Sequence, residues 1–241
     1  MNTDAGITSG RPRRPLALLL SLLVLGAAGA PSASGGSVAV QRTQELAALL
    51  SSHRIRAAPR AASALLGVVP ASTPITHGRT VLPVLARHGR WLKVKLPGRP
   101  NGHTGWITQA ATLHWATTWR LAVNRGRRQV LVYRSGRVVR VFRAVVGKPS
   151  TPTPAGEFFV EESIALRSYD VGAPFALALS ARSTVLQEFD GGPGQIAFHG
   201  LSNVGGVLGT AASHGCVRLA DGTMRWLAVR IGPGTPVTIS G

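Results

Sequence analysis

The sequence predicts a mainly β protein with one or two helices in its C-terminal half. Three observations lead there. Val130 and Val132, then Val139 and Val141, alternate with other residues on either side of Ser135-Gly136, a two-residue turn signal. Glycine (29) and proline (16) are frequent enough to break the chain into short segments. Only the stretch from Asp221 to Ile231 has convincing helical spacing, with Met224, Leu227, Ala228 and Ile231 on one face.

The 241 residues suit one or two domains. Hydrophobic residues make up 44% and charged residues 15%, which argues against wholesale disorder. Arg11, Arg13 and Arg14 precede an apolar run from Leu16 to Ala30, followed by the small residues of Ser32-Ala33-Ser34. This has the form of a secretory signal, and the run is shorter than the ~20 residues of a spanning helix. Residues 1–34 are therefore expected to be a signal peptide or an uncleaved anchor. Export to the cell wall or periplasm follows from either.

Residues 35–69 are rich in Ala, Ser and Arg and read as a tether. Leu46, Leu49, Leu50 and His53 suggest a short amphipathic helix over 44–57, ended by Pro59. Residues 70–115 carry short β-type runs, Val81–Leu85 and Trp91–Leu96, then the turn cluster Pro97-Gly98-Arg99-Pro100-Asn101-Gly102 and Gly105-Trp106-Ile107. This segment resembles a bacterial SH3-like domain. The resemblance implies a small β-barrel that often binds cell-wall material; Trp91 and Trp106 are then either core residues or part of a ligand surface.

From Trp119 onward the chain reads as regular β, with Leu121 and Val123, Phe158 to Val160, Phe175 to Leu179 and Ile196 to His199 as further strands. Asp221 is expected to cap the late helix and Gly232-Pro233 to stop it, with Pro236 to Ile239 as a closing strand.

The net charge is +18 and the lone cysteine is Cys216. One cysteine excludes an internal disulfide framework and a multi-cysteine zinc or iron–sulfur site. The seven histidines are scattered without ligand spacing, so no metal or cofactor is expected. Within 116–150 there are nine basic residues and no acid. Charge alone would suit nucleic acid, but export points instead to anionic wall polymers or a membrane surface.

Cys216 lies in Ser213-His214-Gly215-Cys216-Val217-Arg218, and Phe198-His199-Gly200 lies upstream. A thiol becomes a nucleophile when an imidazole takes its proton, because the thiolate is the reactive form. His214 is two residues away, and His199 is seventeen residues away and able to approach from another strand. Gly215 permits a tight turn, where backbone N–H groups can hold an oxyanion.

Together these segments, with Val146-Gly147 and Thr153-Pro154-Ala155-Gly156-Glu157-Phe158, resemble the L,D-transpeptidase (YkuD-like) catalytic domain over about residues 117–240. The resemblance implies a β-rich fold peculiar to that family and a peptidoglycan 3→3 cross-linking reaction, or a related acyl transfer to water or to a wall protein. It implies Cys216 as nucleophile and His199 as general base, oriented by the Gly200 carbonyl where some relatives have Ser. It also implies that Ser213, His214 and Gly215 shape the site, with N–H groups of Gly215 and Cys216 in the oxyanion hole. Arg218 stands where some relatives carry Asn. It binds a stem-peptide carboxylate or makes a structural ion pair with Asp221 or Glu188. Competing readings are a catalytically silent wall-binding protein and a cysteine peptidase of another fold.

Overall fold

The computed structural model describes residues 41–189 and 191–241. The expected signal or anchor lies outside the described residues.

The first seven strands are β1 (Gln44–Leu49), β2 (His53–Arg56), β3 (Leu65–Val69), β4 (Val81–His88), β5 (Trp91–Lys95), β6 (Thr104–Thr108) and β7 (Thr112–Thr117). They form one sheet in the order β3-β2-β6-β5-β4-β1-β7. Residues 44–57 are thus not a helix, and 44–69 are not a tether. β1 pairs with β4 through Leu46↔Pro83 and with β7 through Leu46↔Trp115. It is buried on both faces, with Ala47 and Leu49 in one cluster and Leu46 and Ala48 in another. A strand buried on both faces loses the period-two alternation, and its leucines then mimic a helical face. Trp91 is a core residue at 7% exposure, whereas Trp106 is half-buried and meets His88 edge-on.

The second set comprises β8 (Trp119–Asn124), β9 (Gln129–Arg134), β10 (Arg137–Arg143), β11 (Val146–Gly147), β12 (Gly156–Ala165), β13 (Phe175–Arg182), β14 (Gln195–His199), β15 (Ala211–Ser213), β16 (Val217–Arg218), α1 (Asp221–Ala228) and β17 (Pro236–Ser240). Eight of these strands make a sheet in the order β10-β9-β8-β17-β12-β13-β14-β16, and β11 pairs with β15. The β9–β10 turn has Ser135 at φ 52° and Gly136 at φ 79°, the two positive values of a type I′ hairpin. β17 closes the sheet from its middle, parallel to β8 and antiparallel to β12.

β12 belongs to both halves. Successive strand residues point to opposite faces, so Phe158 enters the core of the second sheet while Phe159 enters that of the first. The β12–β13 register shifts between Val160 and Glu162, and both Glu161 and Glu162 are buried. Glu161 pairs with Arg182 at 3.2 Å. Glu162 accepts from the Thr76 N–H at 2.7 Å and the Thr76 hydroxyl at 2.8 Å, so it ties the β3–β4 loop to the second sheet.

The late helix is present, but Asp221 does not cap it. Ala220 holds the N-cap position, without a side-chain bond. Asp221 is the first helical residue, and its carboxylate accepts from the Leu201 N–H (2.8 Å), the Ser202 N–H (3.3 Å) and the Ser202 hydroxyl. Those donors come from the loop after His199 and compete with the helix's own N–H groups.

Burial pushes the Glu162 carboxyl up, but the bonds from Thr76, Thr73 and Ile75 together outweigh it and leave the group below its ordinary range. Glu162→Ala is expected to cost about 2 kcal/mol of unfolding free energy at neutral pH, as for hydrogen bonds to a charged group. Because the folded carboxyl titrates below the unfolded one, the gap from wild type should close as the pH falls through the folded value. Urea titrations of both proteins across that range check this.

Candidate active site

β14 and β16 run parallel at the edge of the second sheet, in the register Phe198↔Val217 and His199↔Arg218. Alternation buries Phe198 and Val217 and leaves His199 and Arg218 on the opposite, partly open face. Cys216, two residues before Arg218, lies on that same face. All three line one cavity of about 420 Å³, with His214 at its border and Val171, Leu186, Phe189, Ile196 and Val204 among its apolar walls.

The Cys216 turn is held from below. Ser213 is fully buried; its hydroxyl donates to the Cys216 carbonyl at 2.6 Å and accepts from the Gly215 N–H at 3.1 Å. The Thr153 hydroxyl donates to the Gly215 carbonyl (2.8 Å) and accepts from the Gly147 N–H (2.9 Å), while Lys148 N–H donates to the Ser213 carbonyl (3.0 Å). The Thr-Pro-x-Gly segment and Val146-Gly147 therefore serve the catalytic loop without entering the cavity. Gly215 has φ +123°, and a Cβ there would come within 2.9 Å of Ile196. The Gly215 N–H is spent on Ser213. Of the two donors expected for an oxyanion hole, this turn leaves the N–H of Cys216.

His199 Nδ1 lies 2.8 Å from the Gly200 carbonyl. A carbonyl only accepts, so Nδ1 carries the proton and Nε2 holds the free lone pair. Gly172 supports this from behind. Its carbonyl accepts from the Gly200 N–H at 2.7 Å, and at φ +81° a Cβ there would lie 2.4 Å from Nδ1. A side chain at Gly200 itself would meet the Ala173 carbonyl at 1.9 Å, so the serine of some relatives does not fit here. Nothing in the short Gly172-Ala173-Pro174 turn marks it in sequence as a support for His199.

Burial pushes the His199 imidazole below its ordinary range; the Gly200 bond opposes this and the Arg218 charge adds to it. Burial also raises the Cys216 thiol, against smaller lowering effects from the Ala197 backbone and Arg218. Burial thus favours the uncharged form of each group. His214 is exposed, stacked on Phe189 at 5.7 Å, with Lys148 Nζ 3.5 Å from its Nε2. It sits at the rim, not behind the sulfur. Arg218 makes neither of the expected ion pairs. Its Nη1 donates to the Gly205 carbonyl at 3.2 Å, and its buried Nε has no partner among the described residues.

The edge of a β sheet thus presents Cys216, His199 and Arg218 around one cavity with apolar walls. The family model described as the L,D-transpeptidase (YkuD) catalytic domain matches residues 118–239, and the chain belongs to that family, whose members act on peptidoglycan stem peptides. It is similar to L,D-transpeptidase 1 of Mycobacterium tuberculosis, 24% identical over 210 residues that cover 72% of this chain and 78% of that protein. It also resembles the putative L,D-transpeptidase YkuD of Bacillus licheniformis, 30% identical over 51% of this chain and 66% of that one. Among solved structures, L,D-transpeptidase 3 from Mycobacterium tuberculosis aligns over 67% of this chain and 91% of its own, at 14% identity and a TM-score of 0.46.

Arg218→Gln removes a charge that lowers both titrating groups. The pH at which iodoacetamide alkylates Cys216 at half its maximal rate is expected to move upward relative to wild type. Cys216 is the lone cysteine of the chain, so intact mass against time reads this directly; an unchanged or lower midpoint would contradict the assignment.

Proposed function

We propose that this chain is a cysteine-dependent L,D-transpeptidase that forms 3→3 peptidoglycan cross-links. The observation that supports it most is the placement of His199, Cys216 and Arg218 on one face of the β14–β16 edge, around a single cavity. At about 420 Å³ the cavity lies in the range of small-ligand sites, where a few polar groups set into apolar walls fix orientation.

In this reading the stem tetrapeptide lies against Leu186, Phe189 and Val204. The carboxylate of its terminal D-alanine pairs with Arg218, whose unpartnered Nε and planar fork suit a bidentate contact. Cys216 attacks the carbonyl of the preceding diamino-acid residue while His199 Nε2 takes the thiol proton. A thiol raised by burial beside an imidazole lowered by burial favours proton transfer during the attack over a standing ion pair. The developing oxyanion meets the Cys216 N–H. D-alanine leaves with the proton from His199, and a thioester remains. The amine of a second stem then attacks, His199 accepts its proton, and the thiol is restored: ping-pong acyl transfer.

The chain is read as exported, through residues 1–34. The β module over 44–117 is read as an SH3-like unit that faces wall polymer. Its basic character and that of 116–150 suit an anionic wall or membrane surface.

Purified protein incubated with muropeptide tetrapeptides is expected to give a cross-linked dimer and free D-alanine, and Cys216→Ala neither. Tripeptide without dimer would mean water is the acceptor. No product, together with peptidoglycan binding that survives Cys216→Ala, would favour a silent wall-binding protein. Because the His199 imidazole is lowered, the acid limb of kcat/KM is expected below the ordinary imidazole range.

A further inference from the structure

The turn cluster 97–102 connects β5 to β6 in the first sheet, yet its polar groups are spent on the second. The Gly98 N–H donates to the Ser180 carbonyl at 3.1 Å. Asn101 makes a two-way bond with the Arg182 backbone: its Nδ2 donates to the carbonyl at 2.7 Å, and its Oδ1 accepts from the N–H at 2.8 Å. Arg99 reaches furthest. Its Nη1 donates to the Pro193 carbonyl (2.8 Å), and its Nη2 donates to the carbonyls of Ser183 (2.9 Å) and Leu186 (3.1 Å).

Those three carbonyls belong to the connection between β13 and β14. The same connection supplies Ser183, Leu186, Phe189 and Gly194 to the wall of the cavity that holds Cys216. Its own bonds are short-range. The Val185 and Leu186 N–H groups donate to the Ser183 hydroxyl, Phe189 pairs with Gly192, and the Ser183 N–H donates to the Gly194 carbonyl. Gly194 has φ +64°, and a Cβ there would lie 2.2 Å from the Leu186 carbonyl and 3.4 Å from Arg99 Nη2. Phe189, at the far end, stacks on His214 two residues from the sulfur. One guanidinium thus gathers three points of this loop, and the loop leans on the Cys216 turn through Phe189 and His214.

We propose that the first β module braces the substrate wall of the active site and that Arg99 is a positioning residue: it sets, through three backbone carbonyls, where Leu186 and Phe189 stand relative to Cys216. The substrate part of this rests on the transpeptidase reading above; the brace itself does not. Arg99 is exposed and contributes to neither hydrophobic core, so its replacement leaves the packing of both sheets in place. The three acceptors, among the described residues, are neutral carbonyls.

The test uses the full chain as wild type, Arg99→Ala and Arg99→Lys. Amide hydrogen exchange over 184–189 is expected to speed by about tenfold in Arg99→Ala, with β12 and β13 unchanged. Iodoacetamide should reach Cys216 about threefold faster, as access to the sulfur opens. KM for a stem tetrapeptide should rise about fivefold with kcat within about twofold, the pattern of lost binding to a wall rather than lost chemistry. Lysine, which can reach one or two of the carbonyls but cannot fork, should restore part of each. Exchange over 184–189 equal to wild type would overturn the proposal, and so would a rise spread evenly over both sheets. Wild type that transfers nothing from the tetrapeptide would remove the transpeptidase reading, while exchange and alkylation still decide the brace.

Discussion

Phe158 and Phe159 are neighbours in β12 and cannot share a core. The pleat sends one ring into the second sheet and the other into the first, and each is about 1% exposed. A strand of the second sheet therefore supplies a side chain to the core of the first as well, and a single residue, Thr118, separates β7 from β8. Everything on either side inherits that constraint. β1 is covered on its second face by Gly234, where any Cβ would meet Leu46 and Val81 at under 3 Å. Glu162 reaches back to Thr76 from the same strand. From β12 the order β13, β14, β16 leads outward to the edge where His199 and Cys216 lie, so the module and the catalytic edge share one frame.

Within that frame the site avoids burying charge. Burial disfavours the charged form of both His199 and Cys216, and Arg218 is a cation near them. Its charge lowers the thiol and the imidazole alike. The geometry of the turn is supplied by hydroxyls that never face the cavity: Ser213 from within and Thr153 from the neighbouring segment. The result is a cysteine whose backbone is held by several hydrogen bonds while its side chain borders the cavity.

Much of this was legible in the sequence, for reasons that differ by residue. The Ser135-Gly136 turn, β9 and the apolar face of α1 are local patterns, and β9 and α1 each have one buried face; β10 forms where expected, but Val141 is exposed because a register shift after Val138 interrupts its alternation. Cys216, His199 and Arg218 sit in short motifs, so their types and order were visible before any contact was. β1 was misread because burial on both faces erases its period. Asp221 looks like a cap in sequence, but its carboxylate is claimed by Leu201 and Ser202, donors twenty residues away in the chain. Gly172 and Arg99 act only through contacts that the fold creates, against the His199 ring and across the sheet boundary. No local pattern announces such roles. The hydrogen bond from the Gly215 N–H to Ser213 is likewise a contact that only the folded turn creates.

The central claim is that Cys216 becomes acylated with His199 as its proton acceptor. Rapid mixing of the full chain with a stem tetrapeptide, in the absence of an acceptor amine, tests this most directly. A burst of D-alanine close to one per chain, a thioester mass on the Cys216 peptide, and loss of the burst in His199→Asn are expected. A folded wild type that gives neither burst nor adduct, or a His199→Asn variant with an undiminished burst rate, would contradict it.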